Sequence, residues 1–324
     1  MLLAGDIGGT KTLLGLFDRA FPRPHPMASR AFSTLEHSDL TAMISAFTTE
    51  AGVSRADIEA AAFGVAGPVL GAIAQLTNVP WRVDARGLAE TLDIEHVSLL
   101  NDLQAMAYAV PALHADELHV LQDGVASAGG NMALIAAGTG LGEALLHFVD
   151  GRFIPSPSEG GHADFAARTE RDITVLRALV QRNKRASVEH VVSGPGLINV
   201  SRALHAGPCL AGTDETSVGA PAAITSAALE GRCPGCVETL ATFVDAYGAE
   251  AGNLALRTVS TAGLFVGGGI ALRILPALTD GRFMDAFRDK APLDELMARI
   301  PVKVILHAEP GLLGAAVYAQ DDRS

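Results

Sequence analysis

An amide and a carboxylate, Asn101 and Asp102, stand side by side between two apolar runs of the sequence. A carboxylate at such a place could take a proton from a hydroxyl group, which is the role of a general base. The same pair is typical of a helix start, because Asn and Asp oxygens accept hydrogen bonds from the unpaired N–H groups of a first helical turn. The two interpretations are compatible, since ligands of open α/β sheets collect at the carboxyl ends of strands.

Three glycine-rich turns each follow an apolar, strand-like run. Glycine permits positive φ angles and lets backbone N–H groups approach phosphate oxygens. One turn alone is more simply a tight turn, whereas three together favour phosphate binding. Neither the G-x-x-x-x-G-K-[ST] phosphate loop nor the protein-kinase catalytic set is present, and the strand-like run after GTGLGE argues against a dinucleotide-binding helix. The turns are Gly8-Gly9-Thr10, Gly138-Thr139-Gly140 and Gly267-Gly268-Gly269.

The elements that would position these residues alternate between strands and helices. Apolar residues at helical spacing predict helical core faces at residues 40–47, 173–180 and 240–247. The runs AAAFGVAGPVL, HVSLL, MALIAA and GLFVGGGI predict buried strands that end at glycine or at the Asn-Asp pair. We therefore expect an α/β protein.

A hairpin pattern occurs twice in the chain. LLAGDIGGTKTLLGLFD has an apolar run, a glycine-rich turn and a second strand-like run, which predicts a β-hairpin. LIAAGTGLGEALLHFVDG repeats this pattern, with Thr139 following Thr10 by 139 − 10 = 129 positions. We interpret the repeat as an internal duplication that gives two α/β domains, each opening with a hairpin.

The composition limits the partners that the protein can bind. Its 324 residues include 24 Lys or Arg and 36 Asp or Glu, which gives a formal net charge of −12. No overall positive field is available to attract nucleic acid or anionic lipid. The start, MLLAGDIGG, lacks the features of a signal peptide, and no apolar run reaches the ~18 residues of a membrane span. We expect a cytoplasmic protein that binds neither nucleic acid nor membrane.

Cysteine usage suggests a reducing compartment. Cys209, Cys233 and Cys236 are too few for a disulfide framework. The last two have the C-x-x-C spacing of metal ligands or of a redox pair, but a structural zinc needs about four ligands, and no second Cys/His pair stands nearby in sequence. We expect a surface turn that carries two thiols.

Seven segments, in this order, resemble the bacterial glucokinase family of the sugar kinase, Hsp70 and actin ATPase fold. The resemblance runs from Gly5 to about Tyr318. It implies two ribonuclease-H-like α/β domains of the actin-like ATPase/hexokinase fold with an interdomain cleft, the small domain formed by residues 1–109 and 301–324 and the large one by residues 110–300. It also suggests a homodimer. The segments are DIGGTKT, LLNDLQAMAYAVPAL, AAGTGLG, SEGGHADFA, VEHVVSGPGLINVSRAL, LFVGGGI and IPVKVILHAEPGLLGAA.

The resemblance implies an ATP-dependent glucokinase that transfers a phosphoryl group from MgATP directly to the 6-hydroxyl of glucose. Asp102 matches the general base of the family, and Asn101 matches its sugar-binding neighbour. Glu159, His162 and Glu189 match the residues that contact the sugar. Carboxylates suit that role because each can accept hydrogen bonds from two neighbouring hydroxyls.

The resemblance also implies the nucleotide-binding residues. Asp6 is expected to act through Mg²⁺ or its waters, since Mg²⁺ takes only one or two carboxylates. Lys11 departs from the Asn often found in the closest glucokinases, and Trp81 could belong to the core or a hinge as well as stack on the sugar. The implied ATP-binding positions are Gly5, Asp6, Ile7, Gly8, Gly9 and Thr10, a second phosphate loop of Gly138, Thr139 and Gly140, and an adenosine-side turn of Gly267, Gly268 and Gly269.

Two alternative functions stay open at this point. The first is a kinase for another hexose, such as fructose, mannose or an amino sugar, whose zinc-bearing relatives carry a C-x-C-G-x-x-G-C motif that this sequence lacks. The second is a non-catalytic sugar-sensing regulator. The related repressors have a DNA-binding segment before the kinase domain, for which the phosphate turn at Gly5 leaves no room, and a sensor would be expected to lack the base Asp102.

Overall fold

The computed structural model of the chain divides by its internal contacts into two compact units. Unit 1 comprises Met1–Ala115 and His307–Ser324, and unit 2 comprises Asp116–Leu306. The structure describes residues 1–76, 79, 81–205, 207, 209, 212, 217 and 219–321. The domain division that the resemblance implies, at 109/110 and 300/301, stays a prediction.

Strands and helices alternate along the chain, which confirms the predicted α/β class. The strands are β1 (Leu2–Ile7), β2 (Lys11–Asp18), β3 (His25–Ser33), β4 (Ala60–Val65), β5 (Val69–Leu70), β6 (Ile73–Gln75), β7 (Arg82–Asp84), β8 (His96–Asn101), β9 (Leu118–Gln122), β10 (Met132–Ala137), β11 (Leu141–Val149), β12 (Arg152–Ser158), β13 (Gly263–Gly267) and β14 (Val302–Ile305). The helices are α1 (Leu40–Glu50), α2 (Ala85–Leu92), α3 (Asp102–Ala109), α4 (Glu170–Asn183), α5 (Gly194–Leu204), α6 (Ala220–Leu229), α7 (Pro234–Thr258), α8 (Gly269–Arg273), α9 (Leu275–Leu278), α10 (Arg282–Arg288), α11 (Asp294–Arg299) and α12 (Pro310–Asp321).

The two main sheets share one topology. In unit 1 the strand order is β3-β2-β1-β4-β8, and in unit 2 it is β12-β11-β10-β13-β14-β9. Each sheet opens with an antiparallel hairpin, β1 with β2 or β10 with β11. The first strand of each hairpin then pairs in parallel with a later strand, β1 with β4 and β10 with β13. This shared order supports the internal duplication, with β9 added to the second sheet.

The unit 1 sheet is apolar on both faces, because alternate residues of β1 point to opposite sides. Leu3 belongs to one buried cluster with Met43 of α1. Leu2 belongs to another buried cluster with Ala315 of α12. Trp81 is also buried within the first of these clusters, which favours the core role for this residue over stacking on a sugar.

Unit 2 is built around α7, a helix of 25 residues. Tyr247 of this helix is fully buried, and its hydroxyl accepts a hydrogen bond at 3.2 Å from the N–H of Ala137, the last residue of β10. The helix thereby fixes the strand end that enters the second glycine-rich turn. Among the described residues, no helix is both long and apolar enough to cross a membrane.

The predicted helices are confirmed, with one correction to a core face. The patterns at residues 40–47, 173–180 and 240–247 fall in α1, α4 and α7. In α4 the buried apolar residues are Val175 and Leu179, whereas Val180 is 44% exposed. The prediction that Val180 lies on the core face was wrong, because residues 175 and 179 define the buried stripe and residue 180 lies about 100° further around the helix.

Helices α3 and α12 of unit 1 cross closely at a glycine. A Cβ atom on Gly314 would overlap the carbonyl oxygen of Ala105 in α3 and would stand 2.9 Å from the backbone nitrogen of Ala109. Because the obstructing atoms belong to the backbone, no side-chain rotation could relieve the overlap. The crossing therefore requires glycine at position 314.

We expect Gly314→Ala to lower the free energy of unfolding by about 2 kcal/mol or more, because the two helices would have to separate. Gly87→Ala in α2 is the matched control, since the nearest atom to its new Cβ would be 3.9 Å away. The control should gain about 0.5–1 kcal/mol through helix propensity. Urea denaturation of both variants checks the prediction, and equal midpoints for Gly314→Ala and the wild type would contradict the close crossing.

Candidate active site

The carboxyl ends of β1, β4 and β8 lie along one edge of the unit 1 sheet. The parallel register places Asp6 opposite Gly64 and places Val65 opposite Asn101. Asp6 and the Asn101-Asp102 pair therefore come from strands separated only by β4. Burial raises the pKa of Asp6, and the charge of Asp102 raises it further. The sheet edge thus brings together the candidate base and the carboxylate predicted to act on Mg²⁺.

Asn101 and Asp102 begin helix α3, as the local sequence indicates. The Oδ1 atom of Asn101 accepts hydrogen bonds from the N–H groups of Leu103 at 3.0 Å and Gln104 at 3.4 Å. The Oδ1 atom of Asp102 accepts a second hydrogen bond from the N–H of Leu103, at 2.8 Å, and its side chain is exposed. The pair Asn101-Asp102 therefore caps helix α3 and also presents an exposed carboxylate, that of Asp102.

Asp6 lies in a crowded anionic environment. Burial raises the pKa of its carboxyl group, the charges of Asp102 and Glu309 raise it further, and Lys11 opposes them, with a result of about 6. Glu309, which sequence reasoning does not identify, directly precedes Pro310, the first residue of α12. No local signal identifies it, because Asp6 lies far away in the sequence. A divalent cation would offset the repulsion among these carboxylates, so the residues present fit a Mg²⁺ ion.

The first glycine-rich turn is held by hydrogen bonds to Thr34, the residue that directly follows β3. The N–H of Gly8 donates to the carbonyl of Lys11 at 3.0 Å. The Thr34 hydroxyl donates to the carbonyl of Gly8 at 2.9 Å, and the N–H of Thr34 donates to the carbonyl of Thr10 at 3.0 Å. Thr34 was also missed by the sequence analysis. Gly5 and Ile7, predicted at the ATP site, are buried within β1 and serve to place this turn.

The second and third glycine-rich turns follow neighbouring parallel strands of unit 2. Gly138 comes directly after β10, and Gly267 is the last residue of β13, opposite Ala136 in the register. The N–H of Gly138 donates to the carbonyl of Gly140 at 2.8 Å, which closes the turn. Gly268 has a φ angle of +88° and precedes α8. The structure therefore brings these two predicted nucleotide-binding turns to the same edge of the sheet.

The three predicted sugar-binding residues of unit 2 come together. The Nε2 atom of His162 lies 3.9 Å from an oxygen of Glu159, and its Nδ1 atom lies 3.8 Å from Oε1 of Glu189. Gly160–His162 forms a 3-10 turn, and the N–H of Glu189 donates to the carbonyl of Gly161 at 2.8 Å. Glu189 is the least exposed of the three side chains, at 29%. Two carboxylates thus flank one imidazole within reach of a common ligand.

Glu189 is tied to the second glycine-rich turn. Its Oε2 atom accepts a hydrogen bond at 2.8 Å from the N–H of Leu141, the first residue of β11. A Cβ atom on Gly140 would stand only 2.6 Å from the same oxygen. Glycine at position 140 therefore allows the carboxylate to lie directly against the turn, and one oxygen of Glu189 has a fixed position.

A buried carboxyl group supports the segment that carries Glu159 and His162. The Oε2 atom of Glu143, in β11, occupies the space that a side chain on Gly160 would need. Burial and the neighbouring Glu250 raise the pKa of Glu143 to about 8, while Arg257 opposes this shift. The neutral form is consistent with its Oε1 atom, which makes no hydrogen bond among the described residues. Sequence reasoning did not identify Glu143, although it lies within the second hairpin motif.

The expectation for the cysteine pair was wrong. Cys233 and Cys236 are 1% and 0% exposed, so they do not lie on a surface turn. The physical reason is that Pro234 starts helix α7, and both cysteines at the start of this helix are buried in the core of unit 2.

Lys11, whose role was left open by the sequence, is exposed at the first position of β2.

Comparisons with known proteins agree with the resemblance seen in the sequence. The model of the Glucokinase family matches residues 3–322. A glucokinase of Nostoc sp. is 38% identical over an alignment 338 positions long, which includes 98% of each chain. A glucokinase of Mesorhizobium japonicum is 38% identical over 320 residues, which cover 99% of this chain and 92% of the relative.

Solved structures show the same fold. The glucokinase of an Antarctic psychrotroph superposes with a TM-score of 0.87 at 28% identity, covering 99% of both chains. A ROK family glucokinase from Streptomyces griseus, solved in complex with glucose and AMPPNP, has a TM-score of 0.66 at 23% identity, also over 99% of both chains. The fold predicted from the sequence, that of the actin-like ATPases and hexokinases, is confirmed.

We expect Asp6→Asn to change the pH dependence of stability. Because the pKa of Asp6 is about 6 in the folded protein and about 4 in an unfolded chain, the folded state holds more protons between these pH values. Its free energy of unfolding therefore falls as pH rises from about 4 to about 6. The variant should match the wild type near pH 4 and unfold at a higher temperature at pH 8.

Thermal unfolding in a pH series checks this expectation. Asp18→Asn, at the exposed end of β2, removes the same charge from the same unit and serves as the control. Parallel stability curves for the wild type and Asp6→Asn would show that burial and the neighbouring carboxylates do not raise the pKa of Asp6.

Proposed function

The chain belongs to the glucokinase family and catalyses ATP-dependent phosphorylation of glucose, and from this premise we propose which residues carry out the reaction. The observation that carries the proposal is the position of Asp102. Its exposed carboxylate begins α3 at the edge of the unit 1 sheet, and one of its oxygens is fixed by the N–H of Leu103. Such a group is held in orientation while it still reaches a hydroxyl.

Asp102 acts as the general base in this proposal. As the 6-hydroxyl oxygen of glucose attacks the γ-phosphorus of ATP, its proton passes to the carboxylate of Asp102. The new bond between oxygen and phosphorus forms while the bond from the γ-phosphorus to the bridging oxygen breaks, and ADP leaves. Phosphoryl transfer depends mainly on positioning and charge stabilisation, so one well-oriented carboxylate is sufficient as the base.

The sugar is selected by Asn101 together with Glu159, His162 and Glu189. The Nδ2 atom of Asn101 lies 3.4 Å from the carbonyl of Gly67, which orients this amide. The two glutamates accept hydrogen bonds from sugar hydroxyls, and the imidazole contributes a further polar group. A hexose that lacks a matching hydroxyl would leave a partner unsatisfied, which disfavours its binding.

The phosphates of ATP are bound by the backbone N–H groups of the glycine-rich turns. In this proposal, the segment from Gly5 to Thr10 and the turn at residues 138–140 hold the phosphates, and the turn at residues 267–269 lies beside the adenosine. Asp6 would hold Mg²⁺ directly or through a water molecule. When bound, Mg²⁺ offsets the negative charge of the transferring phosphoryl group. Assembly as a homodimer and a cytoplasmic location are further proposals that rest on the resemblance.

We expect Asp102→Asn to lower kcat by about 10² or more, while the Kd of glucose changes by less than about tenfold. The amide retains an oxygen that can accept from Leu103, so the helix start is preserved. Because the substitution also removes a charge that repels Asp6, the melting temperature should be equal to or above that of the wild type. Asp102→Ala removes both the base and this hydrogen bond, so it should lose kcat and stability together.

Asp39→Asn is the matched control for this substitution. Asp39 caps α1 in the same unit by accepting a hydrogen bond from the N–H of Ala42 at 2.8 Å, and its replacement should leave kcat unchanged. Steady-state kinetics and glucose titration calorimetry separate the two effects. Near-normal kcat in a folded Asp102→Asn protein would contradict the assignment of the base.

We expect Glu189→Gln to lower kcat/KM for glucose by about 10², mostly through KM, because the amide replaces an acceptor of sugar hydroxyls with a donor. Glu170→Gln, an exposed charge removal at the start of α4 in the same unit, should have no effect. Both variants and the wild type should be tested against glucose, mannose, galactose, fructose and glucosamine. The wild type should prefer glucose, and an unchanged preference in Glu189→Gln would contradict its role in sugar recognition.

A further inference from the structure

Four side chains of unit 2 that the kinase reaction does not use converge on one point. The ligand atoms of His205, Cys209, Cys233 and Cys236 all lie within 4.8 Å of one another. The sulfur of Cys209 lies 3.8 Å from that of Cys233 and 3.5 Å from that of Cys236, and the sulfur of Cys233 lies 3.5 Å from Nε2 of His205. Sulfur ligands about 2.3 Å from a tetrahedral zinc ion stand ~3.8 Å apart. The cluster therefore has the dimensions of a zinc site.

The imidazole of His205 is oriented as a metal ligand. Its Nδ1 atom lies 2.8 Å from the hydroxyl oxygen of Ser201 and 3.1 Å from the carbonyl oxygen of the same residue. The carbonyl can only accept a hydrogen bond, so in the tautomer with its proton on Nδ1 the ring donates to Ser201, and Nε2 offers its lone pair on the side of Cys233. Ligating histidines in proteins commonly donate the other ring N–H to a backbone carbonyl in this way.

The first turn of α7 is built to bring its two thiols against this ring. Cys233 is the residue that precedes the helix, and Cys236 is the third residue within it. A Cβ atom on Gly235 would overlap the His205 ring, so glycine between the two cysteines allows the imidazole to pack against the turn.

We propose that His205, Cys209, Cys233 and Cys236 bind a structural Zn²⁺ ion. The spacing is H-x-x-x-C followed by C-x-x-C, two chelating pairs typical of zinc sites. The second pair is His205 and Cys209. It was not expected from the sequence close to Cys233, because Cys209 precedes Cys233 by 233 − 209 = 24 positions. Three thiolates and one imidazole in tetrahedral arrangement select zinc among the common cellular cations. Four protein ligands leave no open position, so the ion stabilises the fold and does not act on a substrate.

The ion connects the end of α5 with the start of α7. At its other end, α5 begins beside Glu189, where the hydroxyl of Ser193 donates to the carbonyl of Glu189 at 2.7 Å. A helix of 11 residues spans about 16 Å, so the zinc lies well away from Glu189. Loss of the metal should therefore destabilise unit 2 without removing any group that contacts the sugar.

The first test measures the metal directly in the full, untagged chain purified under reducing conditions without chelator. We expect about one zinc per chain by elemental mass spectrometry. After removal of the metal by a chelator, one equivalent of Zn²⁺ should raise Tm by about 5 °C or more and release protons from the thiols, whereas Mg²⁺ should do neither. Replacement with Co²⁺ should give the visible absorption bands of a tetrahedral thiolate site.

Variants then assign the ligands. Cys236→Ser and His205→Gln should each weaken zinc binding by about 100-fold or more, and Gly235→Ala should weaken it while keeping all four ligands. His147→Gln, at an exposed position of β11, is the matched control and should retain full zinc content. Because Co²⁺ titration of the wild type needs no substitution, the proposal can be tested even if a variant fails to fold.

Two results would overturn the proposal. One is a chain that holds no stoichiometric zinc as purified and whose Tm does not respond to added Zn²⁺. The other is a disulfide between Cys209 and Cys236 that persists in protein purified under reducing conditions, detected by mass spectrometry of alkylated peptides. This result would identify the cluster as a redox pair with one additional thiol. Kinase activity is not the readout in either case, so failure of this proposal is distinguishable from failure of the assigned reaction.

Discussion

The charge-assisted hydrogen bond from the N–H of Leu141 to the carboxylate of Glu189 links the two functional parts of unit 2. It joins a residue assigned to the sugar with a hairpin assigned to the phosphates. The backbone of Glu189 is held as well, since its N–H donates to Gly161 and its carbonyl accepts from Ser193. The position of this carboxylate therefore depends on β11, the 3-10 turn and α5 together. A site held by three elements is more accurately oriented than one that depends on a single rotamer.

Unit 1 positions its carboxylates in a different way and at a cost in stability. Parallel strands end at one edge of the sheet, so Asp6 and Asp102 come together because of topology, and the start of α12 adds Glu309. Burial and the like charges of Asp102 and Glu309 raise the pKa of Asp6, so the ionised form of Asp6 destabilises the folded protein. A bound cation would offset the same repulsion. Grouped carboxylates lower the stability of the protein when no cation is bound. Their presence is therefore consistent with a site that binds a cation.

Features with a local cause could be predicted from the sequence. The hairpins at residues 2–18 and 132–149, the helix start at Asn101 and the core face of α1 each follow from turn chemistry, capping or periodicity within a few residues. The spacing of apolar residues locates the buried face of a helix only approximately, so a residue next to that face, such as Val180, can be assigned to it wrongly. The sugar-binding residues were found through resemblance, since nothing local separates Glu189 from any solvated glutamate. Glu143 and Glu309 were missed because their surroundings arise from segments distant in sequence.

The cysteine cluster shows why distance along the chain limits such predictions. Cys233-Pro-Gly-Cys236 contains half of a zinc site, and its missing half depends on where α5 ends relative to the start of α7. That position is set by packing in the core of unit 2, where Val200 of α5 and Phe243 of α7 share one apolar cluster. A metal at the far end of α5 would restrain the helix whose first turn is bonded to Glu189, and so would limit the freedom of the loop that presents this carboxylate. Restraint of this kind reduces the ordering that a bound sugar must impose, which is how a site remote from the reaction can still favour binding.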